Sequence, residues 1–189
     1  MSKFSADVAH YRANGDVGKD LWLNPVVWAI ACYRLSNWVN ATNPPWPIRL
    51  PLKAVLFAAY KFCEVFMEMC ISPRASIGEG LYIVHIGGVH ISKFAVLGKN
   101  CDIGHRVTIG QSATGRPGAP VLGDDVYVGT GATLIGPIKI GNRAKIAANT
   151  LVIDDVPDGA TVMGVPGRII GGPRAVQAPS LPAVEAADV

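Results

Sequence analysis

The sequence predicts a mainly β protein, a parallel β-helix preceded by a small α-helical segment. An aliphatic residue recurs every six positions through the middle of the chain, and glycine is concentrated in the same region, whereas the first 70 residues show neither feature. A six-residue period is too short for a helical repeat and is typical of a β-helix whose hexads each supply one short strand and one corner. We therefore expect an α-helical region over 1–70, a β-helix domain over 71–172 and a flexible tail over 173–189.

The helical region contains two apolar blocks joined by the proline-rich connector "ATNPPWPIRLP". Charged residues interrupt both blocks, so neither predicts a transmembrane helix. We expect helices that pack on the rest of the protein, with peripheral contact to a membrane as the alternative. The predicted lipid contacts are Trp22, Trp28, Trp38 and Arg34.

The six-residue repeat predicts which side chains fill the core. The aliphatic residue of each hexad and its fourth neighbour are expected to point inward, and stacked coils then bury a continuous core. A two-residue offset is placed between Val89 and Leu97, and a longer interruption between Ile109 and Leu122. The predicted repeat residues are Ile71, Ile77, Ile83, Val89, Leu97, Ile103, Ile109, Leu122, Val128, Leu134, Ile140, Ile146 and Val152.

Composition excludes some classes of protein. The formal net charge is +3, from 17 basic and 14 acidic side chains, which is too balanced for a nucleic-acid-binding surface. The N-terminus lacks the apolar stretch of a secretory signal, so we expect a cytoplasmic protein, with the inner face of the membrane as the alternative. The cysteines form no C-x-x-C pair and are expected to be buried, reduced thiols; they are Cys32, Cys63, Cys70 and Cys101.

Three stretches carry a family resemblance: "VLGKNCDIGHRVTIG", "VYVGTGATLIGPIKIGNRAKI" and "VMGVPGRII". They resemble the hexapeptide-repeat acyltransferases, and among these the serine acetyltransferase-like branch, which includes the exopolysaccharide and colanic-acid-type acetyltransferases. The resemblance implies a left-handed triangular β-helix with three hexads per coil. It also implies a homotrimer that binds acetyl-CoA between neighbouring prisms and needs no metal.

Two histidines are expected to share one edge of this prism. With three hexads per coil, His85 and His105 follow equivalent strands and should lie roughly 4.8 Å apart along the axis. In the serine acetyltransferase pattern the catalytic histidine follows G-x-G-aliphatic, and "GEGLYIVHIGG" places His85 there. An imidazole titrates near neutrality and suits the removal of a hydroxyl proton during acetyl transfer. We therefore predict His85 as general base and His105 as an acceptor-binding residue, and expect His90 to be structural.

The chain departs from the serine acetyltransferase pattern around the acceptor. Val84 replaces the aspartate that holds the amino acid, and Cys70 replaces the one that orients the histidine, so Glu68, Glu79 or a backbone carbonyl would have to orient His85. The family's Arg-His pair falls near Gly118-Ala119, with Arg116 close enough to contact the acceptor.

These departures favour a sugar hydroxyl, free or lipid-linked, as the acetyl acceptor. L-serine is the alternative. From another class, a non-catalytic scaffold or a metal-dependent, carbonic-anhydrase-like trimer stays open, since His85, His90 and His105 could supply metal ligands.

The resemblance assigns acetyl-CoA to the later coils. The predicted pantetheine contacts are Thr130, Gly131 and Ala148. The nucleotide phosphates need cationic partners, and the candidates are Arg143, Lys145 and Arg168.

Overall fold

In the computed structural model, helices precede a parallel β-helix of triangular cross-section. The structure describes residues 2–15, 18–112 and 117–172, so the predicted tail and Arg116 lie outside the described residues. The helices are α1 (Lys3–Ala13), α2 (Lys19–Leu23), α3 (Pro25–Thr42) and α4 (Trp46–Phe66).

Local sequence explains where α3 begins and ends. The Asn24 side chain accepts a hydrogen bond from the Val26 N–H at 3.0 Å, and Pro25 occupies the first turn, where its missing N–H costs nothing. Asn43 ends the helix in the left-handed conformation, with φ 44°. Only residues 43–45 of the predicted proline-rich connector separate α3 from α4, because α4 already begins at Trp46 and contains Pro51.

Short strands form the three faces of the prism. The order is β1-β4-β7-β10-β13 in sheet A, β2-β5-β8-β11 in sheet B, and β3-β6-β9-β12-β14-β15 in sheet C. All described pairings are parallel except β14 with β15. The strands are β1 (Met69–Ile71), β2 (Ser76–Ile77), β3 (Tyr82–Ile83), β4 (Val89–Ile91), β5 (Val96–Leu97), β6 (Asp102–Ile103), β7 (Thr108–Gly110), β8 (Val121–Leu122), β9 (Tyr127–Val128), β10 (Thr133–Ile135), β11 (Lys139–Ile140), β12 (Lys145–Ile146), β13 (Leu151–Val152), β14 (Thr161–Met163) and β15 (Arg168–Gly171).

The repeat residues form the core of the prism. Every aliphatic residue of the predicted repeat is buried, and stacked positions such as Ile83, Ile103 and Ile146 are fully enclosed. Cys101 lies in an inward position of the same core, where burial raises the pKa of its thiol to about 12. The repeat thus accounts for the hydrophobic driving force of the fold.

The position of the two-residue offset differs from the sequence prediction. Ile91, not Val89, pairs with Ile71 and Ile109 and is therefore the repeat residue of its strand. The extra residues lie between Ile83 and Ile91, because Gly88 is the equivalent of Arg106 at the corner: both have positive φ, and a Cβ on Gly88 would lie 3.1 Å from the Arg106 Cα. The extra residues therefore follow His85 directly.

Arg34 is not a lipid contact, and that prediction was wrong. Its side chain is 8% exposed and binds the Asp7 carboxylate through two hydrogen bonds of 2.8 and 2.9 Å. A third bond of 2.8 Å reaches the Ile77 carbonyl at the edge of sheet B. A buried guanidinium needs these partners because an unpaired buried charge is costly.

The described helices are too short or too polar to cross a membrane. Their outer surface is nevertheless strongly apolar, since Trp22, Trp28, Trp38 and Trp46 are each more than half exposed. On α4, only Leu56 is buried among the large aliphatic and aromatic side chains.

Candidate active site

His85 and His105 lie side by side at one edge of the prism. Each stands two residues beyond a sheet C strand, and the pairing of Ile83 with Ile103 sets the two corners in register. The ring centroids are 5.9 Å apart and the rings are inclined at 52°. His85 is exposed and His105 is partly buried, so a bound molecule can reach both imidazoles from outside the prism.

The inner nitrogen of His105 has no hydrogen-bond partner within the described chain. Its Nδ1 is buried, so a proton donor or acceptor from a bound molecule or a neighbouring subunit would satisfy it. Glu79, one of the groups considered for orienting His85, instead contacts Lys99, with 3.0 Å between Oε1 and Nζ. The described residues place no carboxylate in a hydrogen bond with the His85 ring.

Cys70 and His90 lie on the outer face of sheet A, not at the histidine edge. The pairing places Cys70 beside His90 and His90 beside Thr108. These residues line a groove between sheet A and Tyr60 of α4, and Lys93 lines the same groove. Burial raises the pKa of the Cys70 thiol, so this side chain supplies no negative charge near neutral pH.

His90 is therefore separated from the other two histidines within one subunit. The described residues contain no group of three histidine, cysteine, aspartate or glutamate side chains arranged to hold a metal ion.

Two of the predicted acetyl-CoA residues continue the histidine edge. Since Ile103, Val128 and Ile146 are in register, Thr130 and Ala148 stand in the next two coils at the position of His105. The backbone is closely packed along this edge. A Cβ on Gly104 would lie 2.6 Å from the Thr130 nitrogen, and one on Gly129 would lie 2.6 Å from the Ala148 nitrogen.

The side chains at this edge position become small beyond His105, where Thr130 and then Ala148 form a strip that runs away from His105. Gly131 follows Thr130 at the corner with φ +73°, a conformation that favours glycine. A thin, flexible chain such as pantetheine suits an edge occupied by Thr130 and Ala148, and the Asn149 side chain packs against Gly131 beside it.

The three predicted phosphate contacts are placed more widely. Lys145 lies on the outer face of sheet C in β12, and Arg143 lies at the corner before that strand, on the far side of sheet C from His85. Arg168 pairs with Met163 in the antiparallel strand β15. Lys145 thus precedes Ala148 by three residues in the same coil, whereas Arg143 stands at another corner.

Sequence reasoning missed the residues beneath the histidine edge. Asp7 and Tyr11 of α1 hydrogen-bond the backbone of β3, which leads into His85. Their spacing of four residues places them on one helix face, but only the folded topology reveals the strand they contact.

Comparison with known proteins identifies the family of this chain. Residues 119–154 match the family model described as bacterial transferase hexapeptide (six repeats). The serine acetyltransferase of Mycobacterium tuberculosis is 39% identical over 148 residues, which are 78% of this chain and 61% of that protein. The chain thus spans about three-fifths of the length of the curated relatives it matches.

Solved structures extend the likeness to most of the chain. The Neisseria gonorrhoeae serine acetyltransferase in complex with serine is 31% identical, with a TM-score of 0.73 over 89% of this chain and 68% of that one. A serine acetyltransferase in complex with CoA is 28% identical, with a TM-score of 0.72 over the same shares. The left-handed coiling expected from the resemblance is confirmed. The chain belongs to the hexapeptide-repeat transferases, in the serine acetyltransferase-like branch.

Proposed function

We propose that this protein is an acetyl-CoA-dependent O-acetyltransferase with His85 as its general base. The observation that carries the proposal is the shared edge on which His85, His105, Thr130 and Ala148 stand in successive coils. It offers an imidazole beside a strip for the acyl donor. The similarity to a serine acetyltransferase with bound CoA supports the same donor.

The chemistry needs one proton transfer and one acyl transfer. Neutral His85 takes the proton of the acceptor hydroxyl while that oxygen attacks the thioester carbonyl. Backbone N–H groups stabilise the oxyanion of the tetrahedral intermediate. The intermediate then expels the CoA thiolate, which takes the proton back from His85 and leaves as CoA–SH. The acceptor leaves as its acetyl ester.

L-serine is the first acceptor to test. The curated relatives named above and the Neisseria structure with bound serine support it. The preference for a sugar hydroxyl found in the sequence has no support from these relatives. A sugar remains the second candidate because Val84 and the neutral Cys70 thiol stand where the pattern has acidic residues.

A thiol-release assay with acetyl-CoA tests the proposal. We expect CoA release to depend on the acceptor and to saturate with either L-serine or one member of a panel of sugars. Sedimentation of the same sample is expected to give a mass three times that of the chain, since a neighbouring prism would form the second wall of the acetyl-CoA groove. If CoA is released only at the acceptor-independent background rate with every acceptor, the proposed activity is rejected.

We also propose that the helical region meets an anionic lipid surface. All four tryptophans lie in this region and are exposed, and exposed tryptophans are typical of residues at the lipid interface. Trp28 and Trp38, together with Leu35, stand on one side of α3 at spacings of seven and three residues. Arg49 and Lys53 of α4 supply positive charge in the same helical region.

Flotation with anionic liposomes at low salt tests this contact. We expect wild type to float and the double variant Trp28→Ser/Trp38→Ser to lose most of its binding. Phe94→Ser is the matched control, because Phe94 is a similarly exposed aromatic residue in the β-helix. Equal flotation of the double variant and wild type would exclude the tryptophans as the contact.

A further inference from the structure

The strand that leads into His85 is the first strand of its sheet and has no coil before it. Within sheet C, the N–H groups of Tyr82 and Val84 bind carbonyls of the next coil. Because N–H groups alternate in direction along a strand, those of Leu81 and Ile83 point to the side where a preceding coil would lie. These groups need other partners, since an unpaired buried backbone N–H is costly.

Helix α1 supplies those partners through one face. The Leu81 N–H donates to the Asp7 carboxylate at 2.8 Å. The Tyr11 hydroxyl accepts from the Ile83 N–H at 3.0 Å and donates to the Ile83 carbonyl at 2.7 Å. His10 Nδ1, between them in sequence, donates to the Gly80 carbonyl at 2.7 Å.

Tyr11 is the contact nearest to the candidate base. Its side chain is 1% exposed, and its ring packs against Tyr82 with 4.6 Å between centroids. Both polar groups of Ile83 are bound by one hydroxyl, and His85 follows two residues later. On the other side of His85, the N–H of Gly87 donates to the Met67 carbonyl and the Gly87 carbonyl accepts from the Arg106 N–H. Tyr11 therefore fixes the Ile83 side of the corner that carries His85.

We propose that Tyr11 is a positioning residue for the acetyl transfer, holding β3 so that the His85 imidazole keeps its place beside His105. The inference rests on the proposed function, in which His85 is the base. Tyr11 is buried within the protein, so it acts on the reaction through the backbone of Ile83 and not by contact with a substrate. Displacement of a catalytic group by about 1 Å can reduce turnover about 100-fold.

Tyr33 provides a matched control. It is also a buried tyrosine of a helix, 3% exposed, and its hydroxyl donates to the Ala75 carbonyl at 2.9 Å. Ala75 belongs to the same first coil, but it directly precedes β2, which is a strand of sheet B and not of the sheet that leads to the histidine edge. Loss of the Tyr33 hydroxyl removes one buried hydrogen bond to the first coil, and loss of the Tyr11 hydroxyl removes two. Of these two tyrosines, Tyr11 alone hydrogen-bonds the strand that leads to His85.

The experiment compares full-length Tyr11→Phe and Tyr33→Phe in the thiol-release assay. It is run in the cold with trimethylamine N-oxide, which favours the folded state, and folding is verified by circular dichroism. We expect kcat to fall about 10-fold to 100-fold in Tyr11→Phe with the KM for acetyl-CoA unchanged, and both constants to stay near wild type in Tyr33→Phe. Equal kcat values in the two variants would overturn the proposal.

A second readout does not depend on activity. The His85 ring resonances in a ¹H–¹³C spectrum are expected to shift in Tyr11→Phe and to stay in place in Tyr33→Phe. If wild type releases no CoA with any acceptor, the proposed function fails and these resonances alone decide. The same shift in both variants, or none in either, would then contradict the positioning role.

Discussion

His85→Ala is expected to lower kcat by roughly 10²–10⁴, the usual contribution of a positioned general base. The KM for acetyl-CoA should change little, because the strip proposed for pantetheine lies in the coils of Thr130 and Ala148. Steady-state thiol release with a saturating acceptor measures both constants. The loss should fall on kcat and on kcat/KM for the acceptor together, as expected for an interaction made only in the transition state.

His90→Ala is the matched control for that experiment. His90 is an exposed histidine five residues further along, but it lies on the sheet A face rather than at the histidine edge. The His90→Ala variant should keep near wild-type turnover.

His105→Ala is expected to raise the KM of the acceptor more than it lowers kcat, since the His105 ring stands 5.9 Å from that of His85. Near wild-type kcat in His85→Ala with a large loss in His105→Ala would place the base one coil further along.

The sequence was sufficient to predict the β-helix because its period is a direct consequence of burial. Each repeat residue points into the prism, so the hydrophobic pattern and the strand positions carry the same information. The offset was misplaced because Val89 also lies six residues after Ile83 and is itself fully buried. Strand pairing, which assigns Ile91 to that position, cannot be read from hydrophobicity alone.

The nearness of His85 and His105 was predictable once three hexads per coil were assumed, whereas the contacts of the helical region were not. Arg34 lies among tryptophans in the sequence, and nothing local indicates that its partner is Asp7, 27 residues earlier. The roles assigned to His85, His105 and the acetyl-CoA residues stay predictions until variants are assayed.

Asp7→Ala is expected to destabilise the protein by about 3–5 kcal/mol, the usual cost of leaving a buried charge without its partner. Asp7 is 1% exposed and receives two hydrogen bonds from Arg34, and its carboxylate also accepts the Leu81 N–H. The variant would therefore leave both a guanidinium and a backbone donor unpaired at the edge of the first coil. Urea unfolding followed by circular dichroism, at one fixed protein concentration, measures the change.

Two further variants separate the buried pair from ion pairing in general. Lys61→Ala removes an exposed pair with Glu64, on the neighbouring helix α4, and should leave the urea midpoint almost unchanged because water screens that contact. Asp7→Leu/Arg34→Met removes both buried charges at once and should recover much of the stability lost in Asp7→Ala, since no uncompensated charge remains. The recovery should be incomplete, because the Leu81 N–H and the Gly78 carbonyl still lose their partners, whereas the Ile77 carbonyl keeps its hydrogen bond from Lys3. If Asp7→Ala and Lys61→Ala shift the midpoint equally, the Asp7–Arg34 pair does not hold the helices to the prism.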